Sequence, residues 1–277
     1  VITVPITGKT RIAAVLGWPI DHSRSPVMLN AAFAAARIDA TLVPIGVPPH
    51  GFAAAVAGLR ASHMLGASVT VPHKLAAAAL CDELSPAANA IGAVNCLALP
   101  DGRLVGHNTD CEGFSDALAA ARFDVRGKHC VLLGAGGAAR AVAYGLREAG
   151  AVEVIARRPS ETSWTRAVEW TSQSLREAFA RADLVVDCTP AGLDEVADTD
   201  FTSALPIEAL APNAWVATLV YHRRTALLER ATERGHSTLD GRAMLVHQGA
   251  RAFQIWTGQP APIDVMTRAL DDDLSKR

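Results

Sequence analysis

Residues 131–142 read VLLGAGGAARAV. A buried-looking apolar strand runs straight into glycines, and a helix-forming stretch opens behind them. Gly134, Gly136 and Ala139 stand in the G-x-G-x-x-[GA] spacing. Gly134 permits the tight turn, Gly136 lets the backbone approach a pyrophosphate, and Ala139 allows close helix–strand packing. The N–H groups at the start of the helix then face the phosphates. The other reading is a purely structural glycine turn, and the strand–turn–helix context favours dinucleotide binding over it.

The next strand bears on which dinucleotide. An NAD site usually carries an acid about 20 residues on, for the ribose hydroxyl. Here VEVIARRPS (152–160) ends in Arg157 and Arg158, and its one acid, Glu153, sits at the strand's start. Two guanidiniums suit a 2′-phosphate, which they grip bidentately. A solvated basic turn is the plain alternative. The pattern points to NADP.

Outward from this turn, apolar runs alternate with alanine-rich helical stretches. RIAAVLG (11–17), ATLVPIGV (40–47) and ASVTV (67–71) read as strands, with helices over 26–37, 49–60 and 73–81. AVNCLALPDGRLVGHN (93–108) breaks the rhythm, because two extended runs flank Asp101-Gly102 as in a hairpin. After a helix near 111–121 the alternation restarts and continues through ADLVVDCTP, AWVATLV and HSTLDG, and the C-terminus is helical over 243–257 and about 262–274. Such alternation implies an α/β fold with mostly parallel sheets. The interruption and restart near 100–128 suggest a boundary between two α/β units. A cleft between two such units is the default ligand site.

Composition narrows the classes. Half of the 277 residues are hydrophobic and 19% charged, which excludes wholesale disorder. A net charge of −2 gives no electrostatic footprint for nucleic acid. No apolar run is long enough to span a bilayer, and the first residues lack a signal-peptide pattern. Cys81, Cys96, Cys111, Cys130 and Cys188 are scattered without C-x-x-C spacing, so the expectation is a reduced, cytoplasmic protein with no metal site.

Three stretches carry candidate chemistry. SVTVPHK (68–74) puts Pro72 and Lys74 in the first turn of a helix, at the carboxyl end of a parallel strand where ligands gather. A lysine there opposes the helix macrodipole, so something besides local stability favours it. GHNTDCEG (106–113) supplies Asp110. From spacing alone Asp110 or Thr109 reads best as a helix N-cap. An acid within reach of Lys74 would instead keep the ammonium charged and aimed, ready to polarise a carbonyl during hydride transfer. GWPIDHSRSP (17–26) offers Ser23, Ser25 and a helix start at Ser25-Pro26, an anion corner suited to a carboxylate. A nucleophilic serine beside His22 is the competing idea, but the G-x-S-x-G elbow is missing.

Taken together, the chain resembles the shikimate dehydrogenase family nearly end to end. The resemblance is carried by GWPIDHSRSP, SVTVPHK, IGAVN, GHNTDCEG, LGAGGAAR, CTPAGL and DGRAMLVHQGARAFQIWTG. It implies an α/β substrate domain, 1–110 plus 243–277, and an inserted Rossmann-type NADP domain, 111–242, with reversible, NADP-dependent reduction of 3-dehydroshikimate to shikimate, in aromatic amino-acid biosynthesis. It also implies that Ser23 and Ser25 hold the substrate carboxylate, that Thr70, Asn95 and Gln248 bind ring hydroxyls, and that Tyr221 lies near the carboxylate. Lys74 and Asp110 become the catalytic pair. Gly134, Ala135, Gly136, Gly137, Ala138, Arg157 and Arg158, with Leu219 and Gly241, become the cofactor set. The partners implied are small molecules, with no nucleic acid and no membrane, and a monomer or homodimer is expected.

The sequence departs from the family pattern at several points. Leu29 stands for a histidine, Ser68 for the Asn of N-V-T, and Cys96 for a threonine. Ala156 and Asp187 each replace an asparagine. Around Tyr221, D-x-x-Y-N-P becomes Thr218-Leu-Val-Tyr-His222-Arg223. A quinate or amino-shikimate dehydrogenase is therefore a neighbouring reading, since one ring substituent separates the substrates. A non-catalytic sensor of the same metabolites is the reading from another class. Retention of both Lys74 and Asp110 argues against it.

Overall fold

The computed structural model describes residues 6–276. The chain divides into two compact units, one running to Gly113 and resuming at Leu245, the other Phe114–Met244. Both breaks fall inside continuous helices, a few residues beyond positions 110 and 242.

The first unit begins β1 (Arg11–Gly17), α1 (Ser25–Ala35), β2 (Ala40–Gly46), α2 (Phe52–Ala61), β3 (Gly66–Val69) and α3 (Lys74–Leu80). It continues β4 (Glu83–Leu84), α4 (Pro86–Ile91), β5 (Cys96–Ala98), β6 (Val105–His107) and α5 (Thr109–Ala120). The sheet order is β2-β1-β3-β5-β6-β4. β1 pairs in parallel with β2 and β3, whereas β5 runs antiparallel to both β3 and β6. The expected hairpin is β5–β6, with Asp101 and Gly102 at positive φ in its turn. The reversal matters for function. An antiparallel β5 starts at the edge where β3 and β6 end, so Asn95, Thr70 and Asp110 share one rim.

The second unit carries β7 (His129–Leu133), α6 (Gly137–Gly145), β8 (Ala151–Ala156), β9 (Ala167–Glu169), α7 (Ser172–Arg181) and β10 (Leu184–Asp187). Then come α8 (Glu195–Ser203), β11 (Trp215–Thr218), α9 (Ala226–Glu233) and β12 (Ser237–Leu239). Its sheet is parallel throughout, in the doubly wound order β12-β11-β10-β7-β8-β9. α10 (Gly241–Thr257) and α11 (Ile263–Leu274) end the chain.

Strand residues alternate between two cores in each unit, as the pleat requires. Ala13 and Val15 pack with Phe33 and Phe253 on one face of the first sheet, and Ala14 and Leu16 with Phe52 and Leu59 on the other. In the second unit Val131 and Leu133 meet Phe179, while Cys130 and Leu132 meet Phe114. Burial on both faces is why these strands read as unbroken apolar runs. Among the described residues, no helix is long and apolar enough to cross a membrane.

Candidate active site

At the rim of the first sheet, Lys74 Nζ lies 2.7 Å from Asp110 Oδ2, a charge-assisted contact. The other carboxylate oxygen accepts from Asn95 Nδ2 at 2.8 Å. Asn95, 3% exposed, is itself fixed: its Oδ1 accepts the Thr109 N–H at 2.6 Å, and its amide also reaches Thr109 Oγ1 at 3.0 Å. Helix capping falls to Asn108, whose Oδ1 accepts the Asp110 N–H at 3.2 Å. That corrects the N-cap reading of Asp110 and Thr109. Both stand inside the first turn of α5, and the Asp110 carboxylate is left for Lys74.

Lys74 is the first residue of α3, but Pro72 lies outside the helix. The turn is closed before it by the His73 N–H on Thr70 O at 2.9 Å. His73 belongs to the core: it is buried, stacked on Phe52 at 4.3 Å, with Nε2 2.7 Å from Val47 O. The Lys74 side chain is about one-third exposed against 13% for Asp110, so the ammonium end of the pair faces outward.

The carboxylate corner differs in detail from the sequence reading. The N-cap of α1 is Arg24, with Ser25 and Pro26 as the first two helical residues and no side-chain cap. Arg24 is buried against Asp273 of α11, Nε to Oδ2 3.1 Å. Its charge is thereby committed to the fold while Ser23 and Ser25 flank it. Thr70 follows β3, its N–H held by Leu16 O at 2.9 Å. Gln248, on α10, is buried with Nε2 on Leu245 O at 2.9 Å. It lies against Gly113 of α5, where an added Cβ would come within 2.7 Å of the Gln248 backbone nitrogen.

The second unit holds a cavity of about 610 Å³ at the carboxyl ends of β7, β8 and β10, walled by Gly134–Gly136, Arg157, Arg158 and Thr189 among others. That size suits a small-molecule or cofactor site. Gly134 has φ +97°, the turn geometry only glycine adopts cheaply. A Cβ at Gly136 or Gly137 would meet no atom within 4 Å, so the loop presents bare backbone to open space ahead of α6. This cradle fits a pyrophosphate. Glu153 is turned to other work, held by Arg181 at 2.7 Å and His129 at 3.1 Å. Arg158 meets Glu161 at 2.8 Å in an exposed pair, worth little and easily displaced by a phosphate.

Leu219 and Gly241 meet at the end of β11, where a Cβ on Gly241 would strike Leu219 O at 2.1 Å. Tyr221 lies in the same loop, half-buried, in the second unit with the cofactor residues. The loop is pinned by Arg223, which donates to Gly192 O at 3.0 Å and to Asp198 Oδ2 at 2.7 Å. Asp198 also accepts the Ala226 N–H at 2.7 Å. Nearby, Asp187 is 1% exposed; Oδ1 accepts the Thr189 N–H at 2.8 Å and Oδ2 has no partner. Burial, helped by the Asp198 charge and opposed by the Thr189 bonds, pushes its carboxyl up to about 6.

Residues 15–97 match the shikimate dehydrogenase substrate binding domain, 241–270 the shikimate 5′-dehydrogenase C-terminal domain, and 121–199 an NAD(P)-binding family. A shikimate dehydrogenase (NADP(+)) of Desulforamulus reducens is 41% identical over 287 residues, covering 98% of both chains. The chain belongs to the shikimate dehydrogenase family. Among solved members, the shikimate 5-dehydrogenase of Listeria monocytogenes, in complex with shikimate and NAD, matches with a TM-score of 0.87 at 33% identity, covering 96% of this chain and 98% of that one. The Thermus thermophilus enzyme, in complex with NADP(H) and shikimate, matches with a TM-score of 0.84 at 34% identity, covering 95% and 99%.

Against the family pattern, Leu29 is fully buried in the first unit's core, so that departure is absorbed by packing. Sequence reasoning missed Asn108 as the cap, Thr109 as the partner of Asn95, and any role for Trp164 and Trp170. Asn108 lay in a motif already quoted, with the side chain of a preferred N-cap. The tryptophans fall in a stretch without motif or periodicity, and only the fold brings Trp170 to the wall of the cavity and Trp164 to the Ala135 carbonyl.

Proposed function

We propose that this chain catalyses the reversible, NADP-linked reduction of 3-dehydroshikimate to shikimate. The observation that carries the reading is the Lys74–Asp110–Asn95 chain, with contacts of 2.7 and 2.8 Å, on the rim of a family-typical substrate unit. Ser23 and Ser25 hold the substrate carboxylate through their hydroxyls and the free N–H groups of α1. Thr70, Asn95 and Gln248 bind the ring hydroxyls, and Tyr221 approaches the carboxylate. In the other unit the Gly134–Ala138 loop, Leu219 and Gly241 hold the dinucleotide, and Arg157 and Arg158 its 2′-phosphate.

The reduced cofactor, NADPH, would supply the hydride in reduction, and NADP+ would take it back in oxidation. The Lys74 ammonium donates a hydrogen bond to the ketone oxygen, so negative charge developing there is stabilised. It then passes a proton to that oxygen, giving the hydroxyl, and the neutral amine is reprotonated from solvent. In oxidation the same amine takes the hydroxyl proton. Asp110 aims the lysine at the substrate oxygen, and Asn95 holds Asp110 in place. A sensor would have no need of this chain of contacts. All five cysteines are free thiols, which supports a cytoplasmic setting, and a monomer or homodimer is compatible with small-molecule substrates.

The test is a spectrophotometric panel at 340 nm of shikimate and quinate, each with NADP and NAD. The reading expects the highest kcat/KM for shikimate with NADP. A clear preference for quinate, or no turnover with either, would refute it.

A further inference from the structure

Trp164 belongs to no motif, yet its indole Nε1–H donates to Ala135 O, in the centre of the glycine-rich turn, at 3.1 Å. It sits in Pro159–Arg166, the stretch that joins the arginine turn to β9. The remaining bonds of this stretch are local: the Glu161 N–H on Arg158 O at 3.2 Å, the Thr162 N–H on Pro159 O at 3.1 Å, and the Arg158–Glu161 ion pair. The indole bond is the side-chain hydrogen bond that ties Pro159–Arg166 to the glycine turn. The glycine turn has independent anchors, including the Gly134 N–H on Ile155 O at 2.8 Å.

A second tryptophan supports the same turn. Trp170 lies with its ring 5.8 Å from the Arg157 guanidinium carbon, within cation–π range, and its backbone N–H donates to Ala156 O at 3.0 Å. Trp170 therefore steadies the arginine, and Trp164 sets how far the stretch behind it stands from the phosphate loop.

We propose that Trp164 is a positioning residue for cofactor selectivity: it holds the arginine turn in register with the pyrophosphate loop, so that a dinucleotide seated on the loop meets the arginines with its 2′-phosphate. The inference rests on the NADP reading above. It assigns the selectivity to the tether as well as to the arginines. A ligand without the 2′-phosphate needs only the glycine turn, and the tether matters little to it.

The experiment is calorimetric titration of the full chain with NADP and NAD, in wild type, Trp164→Phe and Trp164→Tyr, alongside thermal unfolding of each. Both variants keep an aromatic body and lose the indole N–H. The expected result is NADP binding weakened about 5-fold, as loss of one neutral hydrogen bond gives, with NAD binding changed by less than about 2-fold. Hydrogen exchange should quicken over 159–166 and stay unchanged over 134–139. Equal weakening of both cofactors with a large fall in Tm would mean a general structural role and overturn the proposal. An unchanged NADP/NAD ratio in variants of a wild type that prefers NADP would overturn it alone. A wild type that binds both equally would overturn the cofactor reading and this inference with it.

Discussion

Replacing Asp187 with asparagine removes a charge that the second unit holds almost without water. The side chain is 1% exposed, one oxygen is satisfied by the Thr189 N–H, and the other has no partner. Its carboxyl is raised from 3.8 to about 6, first by burial and then by Asp198, against the lowering effect of the Thr189 bonds. A carboxyl raised on folding binds its proton more tightly in the native state than in the unfolded one. The cost of ionising it is therefore absent below about pH 4, grows between pH 4 and 6, and is complete above about 6. At about 1.4 kcal/mol for each tenfold change in proton affinity, the cost is about 3 kcal/mol at pH 7.5. Asparagine has the same shape, cannot ionise, and keeps an oxygen for the Thr189 N–H. The Asp187→Asn chain should accordingly gain on wild type as pH rises, by up to about 3 kcal/mol, or about 10 °C in Tm for a domain of this size. The assay is thermal unfolding of both proteins by circular dichroism at pH 4.5, 5.5, 6.5 and 7.5. A Tm difference that is flat across this range, or that shrinks toward pH 7.5, would refute the reasoning.

Three further outcomes can be checked. Lys74→Ala should lower kcat by about 100-fold or more with a modest change in KM, because the lost contact acts mainly as charge develops on the substrate oxygen; near-normal turnover would remove Lys74 from the mechanism. Ser23→Ala should chiefly raise the KM for shikimate, and steady-state kinetics showing a collapsed kcat at unchanged KM would contradict the carboxylate role. Gly113→Ala should destabilise the first unit by about 1–3 kcal/mol and raise the substrate KM through Gln248, since the new Cβ would come within 2.7 Å of the Gln248 backbone nitrogen; chemical denaturation at unchanged midpoint would show that α10 yields freely.

Most of the architecture was legible because it rests on local signals. The glycine turn, the Asp101-Gly102 hairpin and the two-faced strands each have a pattern of short range. The short edge strands β4 and β9 were not legible, since two or three residues carry no periodicity. Helix starts were misjudged by a residue or two at Ser25 and Pro72, where the capping residue is set by backbone turns rather than by side-chain type. In the site, Lys74 and Asp110 could be singled out by type and position, but spacing alone favoured a helix cap for Asp110, and only the family resemblance paired the two. The pairing depends on β5 running antiparallel, which brings Asn95 to the same rim and leaves capping to Asn108.

The departures from the family pattern, scattered along the sequence, gather in space. Ser68 of β3 lies in register with Cys96 of β5, so the Asn and Thr of the pattern are exchanged for two smaller groups facing across one pair of strands. Asp187 of β10 lies in register with Thr218 of β11. Where the pattern has Asn on one strand and Asp on the next, this chain has Asp and Thr, so the acid has moved one strand over. The change beyond Tyr221 joins the same locality, because Arg223 reaches Asp198, the carboxylate whose charge helps to raise Asp187. Neighbours across a ladder share volume and field, so a substitution at one changes what the other tolerates. Leu29 and Ala156 apart, the departures are therefore better counted as two local exchanges than as independent losses. Lys74, Asp110, Ser23 and Ser25 are themselves retained, and the exchange in the second unit supplies, in Arg223, a cation to hold the loop that bears Tyr221.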